Sequence, residues 1–351
     1  MTALVAGGAA AQELPYDRMA ARIGVALQPA RGERVMLRYD PATMPGLAPA
    51  VRSALEDAGA AVELLAYGPS ADFAGRLART DVYIWLPAGP DAPTPADQVA
   101  ALARWLDEGR GRQIHFHWGD GTRDADGLNA PHSADYDRVY LDALDIDYPA
   151  LRAAMARTLA QLRGVDIRVT TPAGTDVRFR VGDRPFTTQD GDASKAKMAG
   201  ARVRIDREIE LPAGALRVAP IETSVTGVLV LPAARFDDTR ARDVRLRFDR
   251  GRVVEATAGD GQAALETFLR SAPGASQFRE FALGFNPRLV VPAGQQAIPY
   301  YGYGAGVVRL SLGDNEELGG AVRGGGVRWL LFPDATVTAG GATLVDAGRL
   351  R

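Results

Sequence analysis

Three groups of residues in this sequence are of types that do chemistry. His115 and His117 stand two apart in QIHFHW, and a strand sends residues i and i+2 to one face, so both imidazoles point the same way. That geometry suits a metal ion or a general base, with Asp120 and His132 within reach along the chain. Glu222 and Glu280 are carboxylates set in LPAGALRVAPIETSVTG (residues 211–227) and FREFALGFNP (residues 278–287). Arg309 and Arg328 lie in two later stretches, GVVRLSLGDNEELGG (residues 306–320) and GGVRWLLFP (residues 325–333). The first of these also carries Asp314, Glu316 and Glu317, an oxygen-rich run of the kind that Mg, Mn or Ca can use. Against these readings stand plainer ones. Glu and Arg on the strands of a β-rich region commonly form a solvated ion-pair face, and a loop of acids between strands is commonly solvated. A strand His-x-His at the end of a parallel sheet is commonly satisfied by backbone or water.

Several classes of chemistry are excluded. The 351 residues contain no cysteine, which removes disulfides, thiolate metal sites and a cysteine nucleophile. The net charge is −2 with acids and bases interspersed, and no basic block with interleaved aromatics marks a nucleic-acid partner. No apolar run approaches the roughly 20 residues a membrane span needs. GDGTRDADG (residues 119–127) lacks the ending of a phosphate loop, and GYGAG (residues 302–306) is a weak glycine match; both read as turns. The opening MTALVAGGAAAQEL lacks a basic start and a long apolar core, and reads as a flexible lead-in with a trimmed signal as the alternative. The expected location is cytoplasmic.

The elements that must position these residues divide the chain in two. Residues 16–150 alternate helices and strands, which implies βαβ units and a mainly parallel sheet. YPALRAAMARTLAQL, within 147–162, is a helix bridging to the second part. Residues 164–351 switch to period-two alternation around PAGTD and Asp249-Arg250-Gly251 turns, with helical patterning returning in QAALETFLRS. The fold class is therefore an α/β domain followed by a β-rich α+β domain. Gln189–Gly200 is small and polar, and reads as a mobile loop.

The stretches around Glu222 and Glu280 resemble the signatures of the aminopeptidase T family of metal-dependent exopeptidases, whose order of an α/β domain and then a β domain this chain also follows. The resemblance places Glu222 and Glu280 at two metal-ligand glutamates. It places Arg309 where the family has a histidine, and Arg328 and Leu330 where it has a histidine and an aspartate; no histidine follows His132. The tyrosine that the resemblance leads one to expect shortly after that first histidine is also missing, with Asn315 or Glu316 in its place. Guanidinium offers donors only and cannot coordinate a cation, but it can neutralise a buried carboxylate. The resemblance therefore implies a divergent relative without the family's dimetal centre, with no metal and no other cofactor expected.

In that reading Arg309 and Arg328 neutralise the glutamates, and Tyr301 and Tyr303 flank a cleft for a peptide or amino-acid-like ligand. The arginines would take a carboxylate, and Glu222 or Glu280 an amine. A partner enzyme to which a peptide is presented, and a homodimer, belong to the same expectation. The alternative is an active metal-dependent aminopeptidase using Asp314, Glu316 or Glu317 as substituted ligands. The neighbouring dihydroxypyridine dioxygenases need a two-histidine, one-carboxylate iron site, for which the C-terminal half supplies no histidine.

Overall fold

The computed structural model describes residues 14–89, 92–119, 121–124, 128–130, 133–236 and 238–351. The N-terminal lead-in, Asp120 and His132 lie outside the described residues. The first part runs α1 (Tyr16–Leu27), β1 (Arg34–Tyr39), α2 (Leu47–Asp57), β2 (Ala61–Ala66), α3 (Phe73–Ala78), β3 (Val82–Trp85), α4 (Ala96–Asp107), β4 (Arg112–Phe116), α5 (Ala134–Leu144) and α6 (Tyr148–Leu162). Strands β1 to β4 pair in parallel, with β1 and β3 central. The residues explain this: β1 buries Val35, Met36 and Leu37 in succession, as a strand covered on both faces must, while α1 buries Met19, Ile23 and Leu27 along one stripe.

The second part runs β5 (Asp166–Thr170), β6 (Asp176–Arg180), β7 (Thr187–Gln189), α7 (Lys195–Met198), β8 (Glu208–Leu211), β9 (Ala215–Val218), β10 (Thr226–Phe236), β11 (Thr239–Asp249), β12 (Arg252–Thr257), α8 (Gln262–Arg270), β13 (Phe278–Gly284), β14 (Val308–Leu312), β15 (Arg328–Phe332), β16 (Thr336–Ala339), β17 (Ala342–Asp346) and β18 (Arg349–Leu350). Two antiparallel sheets result, ordered β12-β11-β10-β6-β5-β16-β17-β18 and β15-β14-β13-β9-β7. Their inner faces meet through Phe179, Phe248, Phe278 and Phe281, whose ring centroids lie 5.3–6.0 Å apart. No helix among the described residues is long and apolar enough to cross a membrane.

Strand β8 crosses between the two parts. It leaves the β-rich half and pairs in parallel with β4, setting His115 opposite Glu210. The segment expected to be a mobile loop, 189–200, is instead held down: Ala193 is buried, its carbonyl accepts from Arg112 Nε at 2.7 Å, and α7 forms within it. Polarity there reflects hydrogen bonding to Asp190, Asp192 and Ser194, which the composition alone could not distinguish from solvation.

The LPAG and GFNP stretches prove to be neighbours. Gly214, at φ +139°, packs against Asn286 so closely that a Cβ would come within 2.7 Å of the Asn286 Cβ. Asn286 Nδ2 donates to the Ala213 carbonyl at 2.7 Å and to that of Ala143 at 3.1 Å, and Phe285 N donates to the Gly214 carbonyl at 2.8 Å. This junction ties the start of β9 to the end of β13 and both to α5.

Candidate functional site

In the five-stranded sheet, Arg217 of β9, Ala282 of β13 and Arg309 of β14 stand side by side across three strands. Glu280 lies two residues before Ala282 and on the same face, so the small alanine leaves room for both arginines to lean toward it. Glu280 is fully buried. Its Oε1 accepts from Arg217 Nε at 2.5 Å and Arg309 Nη2 at 3.1 Å; its Oε2 accepts from Arg279 Nη1 and, at 3.4 Å, from Ser311 Oγ. Burial alone would raise the Glu280 pKa, but the charges of Arg217, Arg309 and Arg279 outweigh it and hold the carboxyl well below the usual range. Glu317, on the following loop, accepts from Arg279 Nη2 and from Arg217 Nη2 at 3.3 Å. Its side chain is 29% exposed, so the cluster opens to solvent on that side.

Next to the cluster lies a second set of groups. His115 and His117 extend from the carboxyl end of β4, and Glu210 comes beside them on β8; their ligand atoms all lie within 4.8 Å of one another. Arg217 Nη1 is 3.6 Å from Glu210 Oε1, which links the two sets. Tyr303 Oη donates to Glu210, and its ring faces the Arg309 guanidinium at 5.4 Å. Burial acts to raise the Glu210 pKa, while Arg217, His117, Tyr303 and Arg309 bring it below the ordinary value. Burial and then the Glu210 charge push the Tyr303 phenol up, so it stays a neutral donor. Glu208, one turn of the pleat earlier, is pushed up to about 8 by burial and by Glu317 and Glu210.

Tyr300 and Tyr301 both take left-handed backbone, at φ 44° and 50°, a costly choice for aromatic residues. The turn is held from the α/β side, since Tyr301 N donates to the Gly121 carbonyl at 2.8 Å and Tyr300 N to Tyr140 Oη at 3.2 Å. It delivers the Tyr301 carbonyl to Arg309 Nη1 at 3.1 Å and its ring to within 5.2 Å of His117 and 5.1 Å of Trp329.

Of the residues singled out from sequence, Glu280, Arg309, Tyr301 and Tyr303 come together. Glu222 and Arg328 do not. Glu222 opens a short 3-10 turn and accepts from Arg184 Nη2 at 2.5 Å, Asn315 Nδ2 at 3.2 Å and Ala321 N at 2.7 Å. It pins the 315–321 loop. Arg328 pairs with Leu312 on β14, on the opposite face from Arg309, and its guanidinium lies 5.5 Å from the Phe236 ring centroid. The reason is register: Arg309 stands opposite Leu331, three residues from Arg328, and an odd offset reverses the face.

The acids of residues 314–317 are also committed. Asp314 accepts from the backbone of Glu316 and Gly324, Glu316 pairs with Arg323 at 3.1 Å, and Glu317 belongs to the arginines. Among the described residues, the His/Asp/Glu group that converges as a metal site is His115, His117 and Glu210.

Sequence reasoning missed Arg217, Arg279, Glu208 and Glu210. A signal for the last two exists in REIEL, where two acids alternate with buried Ile209 and Leu211 and so share one strand face. Arg217 stands within the quoted LPAG stretch, but nothing local says that it turns toward a glutamate 63 positions away.

Residues 152–291 match the family model of the thermophilic metalloproteases (M29). The M29 segment contains Glu222, Arg217, Arg279 and Glu280, and ends before Arg309 and Arg328. Among solved structures, the chain is similar to 2,5-dihydroxypyridine dioxygenase from Pseudomonas putida KT2440, at a TM-score of 0.63 and 15% identity over 96% of both chains. It is also similar to AmpT from Thermus thermophilus, at a TM-score of 0.62 and 15% identity over 95% of this chain and 98% of that one. At such identity the likeness is one of fold, and it spans both halves of the molecule. No curated protein matches the chain. The metal centre that the motif resemblance to the aminopeptidase T family leads one to expect around Glu280 and Arg309 does not fit the residues there. Both Glu280 oxygens are taken by N–H donors, and Arg309 offers no lone pair to a cation.

Proposed function

We propose that this M29-like chain binds a peptide or amino-acid-like ligand at the arginine–glutamate cluster, without the dimetal hydrolysis that its likeness suggests. The observation that carries this reading is the enclosure of Glu280 by Arg217, Arg279 and Arg309, which puts guanidinium charge where a peptidase of this pattern would need metal. Glu317 is the exposed member of the cluster, held by two arginines that a ligand carboxylate can take over. Glu280 and Glu222 are saturated by their own donors, so the ligand amine falls to Glu210 and the phenol beside it. Tyr301, Trp329 and Trp85 supply apolar walls. Presentation of the bound peptide to a partner enzyme, a homodimeric state and a cytoplasmic location complete the proposal.

The test is calorimetry with a panel of di- and tripeptides, beside a panel of aminoacyl substrates with and without added Zn, Mn, Co or Mg. Saturable binding without turnover is expected. Glu317→Gln should strengthen binding by freeing Arg217 and Arg279, and Arg279→Ala should weaken it. Metal-stimulated release of N-terminal residues, or no binding by any peptide, defeats the reading.

A further inference from the structure

We propose that His115, His117 and Glu210 bind a single divalent transition-metal ion, of the zinc or iron(II) type, at the carboxyl ends of β4 and β8. The site is new with respect to the Glu222, Glu280 and Arg309 positions; it shares Glu210 with the peptide-binding reading but does not rest on it, since it follows from the His115, His117 and Glu210 geometry alone.

Parallel pairing of β4 with β8 sets His115 directly opposite Glu210, and the ladder continues with His117 N donating to the Leu211 carbonyl at 3.1 Å. Residues 115 and 117 share a strand face, so two imidazoles and a carboxylate are brought to one small volume by elements with little freedom to move. Open α/β sheets characteristically place their ligand sites at the carboxyl ends of the strands.

The donor chemistry then selects the ion. Two imidazoles and one carboxylate form a mixed nitrogen–oxygen set, which suits zinc and iron(II) and is a poor match for magnesium or calcium, which favour oxygen cages. A three-ligand set is also the pattern of zinc sites that leave a position open, as opposed to closed structural ones.

The surroundings fix the ligands. Tyr303 Oη donates to Glu210 and orients its carboxylate. The Gln113 amide meets Nε2 of His115, and the Trp85 ring lies 4.9 Å from His117 and 5.9 Å from His115. Such outer contacts are what hold metal-binding side chains in place. Glu208 Oε2, 3.9 Å from His115 Nε2, adds a further acid. Arg217, whose charge opposes a bound cation, lies 3.6 Å from Glu210 and is also engaged by Glu280 and Glu317. His115 is a quarter exposed, which leaves a route in for the ion.

The experiment uses tag-free full-length protein stripped with a chelator and titrated with Zn2+, Co2+, anaerobic Fe2+ and Mg2+. Calorimetry should show a single bound Zn2+ or Fe2+, Co2+ should give visible ligand-field bands and quench tryptophan fluorescence, and Mg2+ should bind far more weakly. His115→Ala and Glu210→Gln should each weaken Zn2+ binding by about tenfold or more. Glu210→Gln preserves size and a hydrogen-bond acceptor for Tyr303, so its loss of binding reports ligation separately from folding, which circular dichroism checks. Absence of stoichiometric binding, wild-type affinity retained in either variant, or Mg2+ binding as tight as Zn2+ would overturn the site. Peptide titrations on the same metal-free protein are a separate readout, so either proposal can fail while the other stands.

Discussion

Arg217 Nε lies 2.5 Å from Glu280 Oε1, in a pair with no more than 4% of either side chain exposed, although 63 positions separate the two residues. β9 and β13 run antiparallel with Arg217 beside Ala282, so the arginine reaches Glu280 diagonally over an alanine. A buried pair of this kind returns little net stability over an apolar pair of the same size, yet removing Arg217 takes one of three guanidinium partners from Glu280 and leaves Glu210 and Glu317 less compensated.

Arg217→Ala should therefore lower unfolding stability by about 3–5 kcal/mol, read as a shift in denaturation midpoint. Arg247→Ala, which breaks the exposed pair with Glu255, should cost under about 1 kcal/mol and serves as the reference. Similar small shifts in both would show that the cluster is not sealed from water.

Glu222 has a different role from Glu280, and a different signature follows. Glu222→Ala removes the acceptor for Arg184, Asn315 and Ala321 N, so the 315–321 loop should loosen. The expected cost is about 1–3 kcal/mol, with faster amide exchange at Ala321 as the local readout. Unchanged protection at Ala321 would remove Glu222 from its place as a pin.

Gly214→Ala should cost about 2–3 kcal/mol, because the residue must keep φ +139° and its Cβ would meet Asn286. Gly164→Ala, at φ +72° with no neighbour within 4 Å, separates backbone strain from the clash. Equal losses at the two positions would show that the Asn286 contact adds nothing.

Acid should weaken the tie between β1 and β4. Glu33 accepts from Arg112 Nη1 at 2.5 Å and Nη2 at 2.8 Å, and from Ala30 N at 3.0 Å. Burial acts to raise its pKa, but the Arg112 and Ala30 hydrogen bonds win and the folded value lies below the ordinary one. A depressed carboxylate contributes stability above the unfolded pKa of about 4.3 and loses it as pH falls through the folded value. The stability advantage of the wild type over Glu33→Gln should be constant near neutrality and shrink below about pH 4.3. An advantage that grows on acidification would reverse the sign and disprove the coupling.

Much of the molecule was determined by local pattern. Period 3.6 in residues 16–27 and 148–162, continuous apolar runs such as 35–37, and alternation in residues 166–180 each state their element without help from elsewhere, and their order dictates a parallel layer followed by antiparallel sheets. The carboxylate of FREFALG was equally legible, since its motif is contiguous. What the tertiary structure decided was pairing. Strand parity turned Arg328 away from Glu280, and a loop drew Glu222 out of the cluster, because facing depends on cross-strand register. Strand β8 left its own half to lie beside β4 and brought Glu210 to His115 and His117. A parallel neighbour can come from any distance along the chain, and the hydrogen bonds that join two strands are made by the backbone, which carries no side-chain signal. The site is assembled from such joins, and so its residues were visible in the sequence while their company was not.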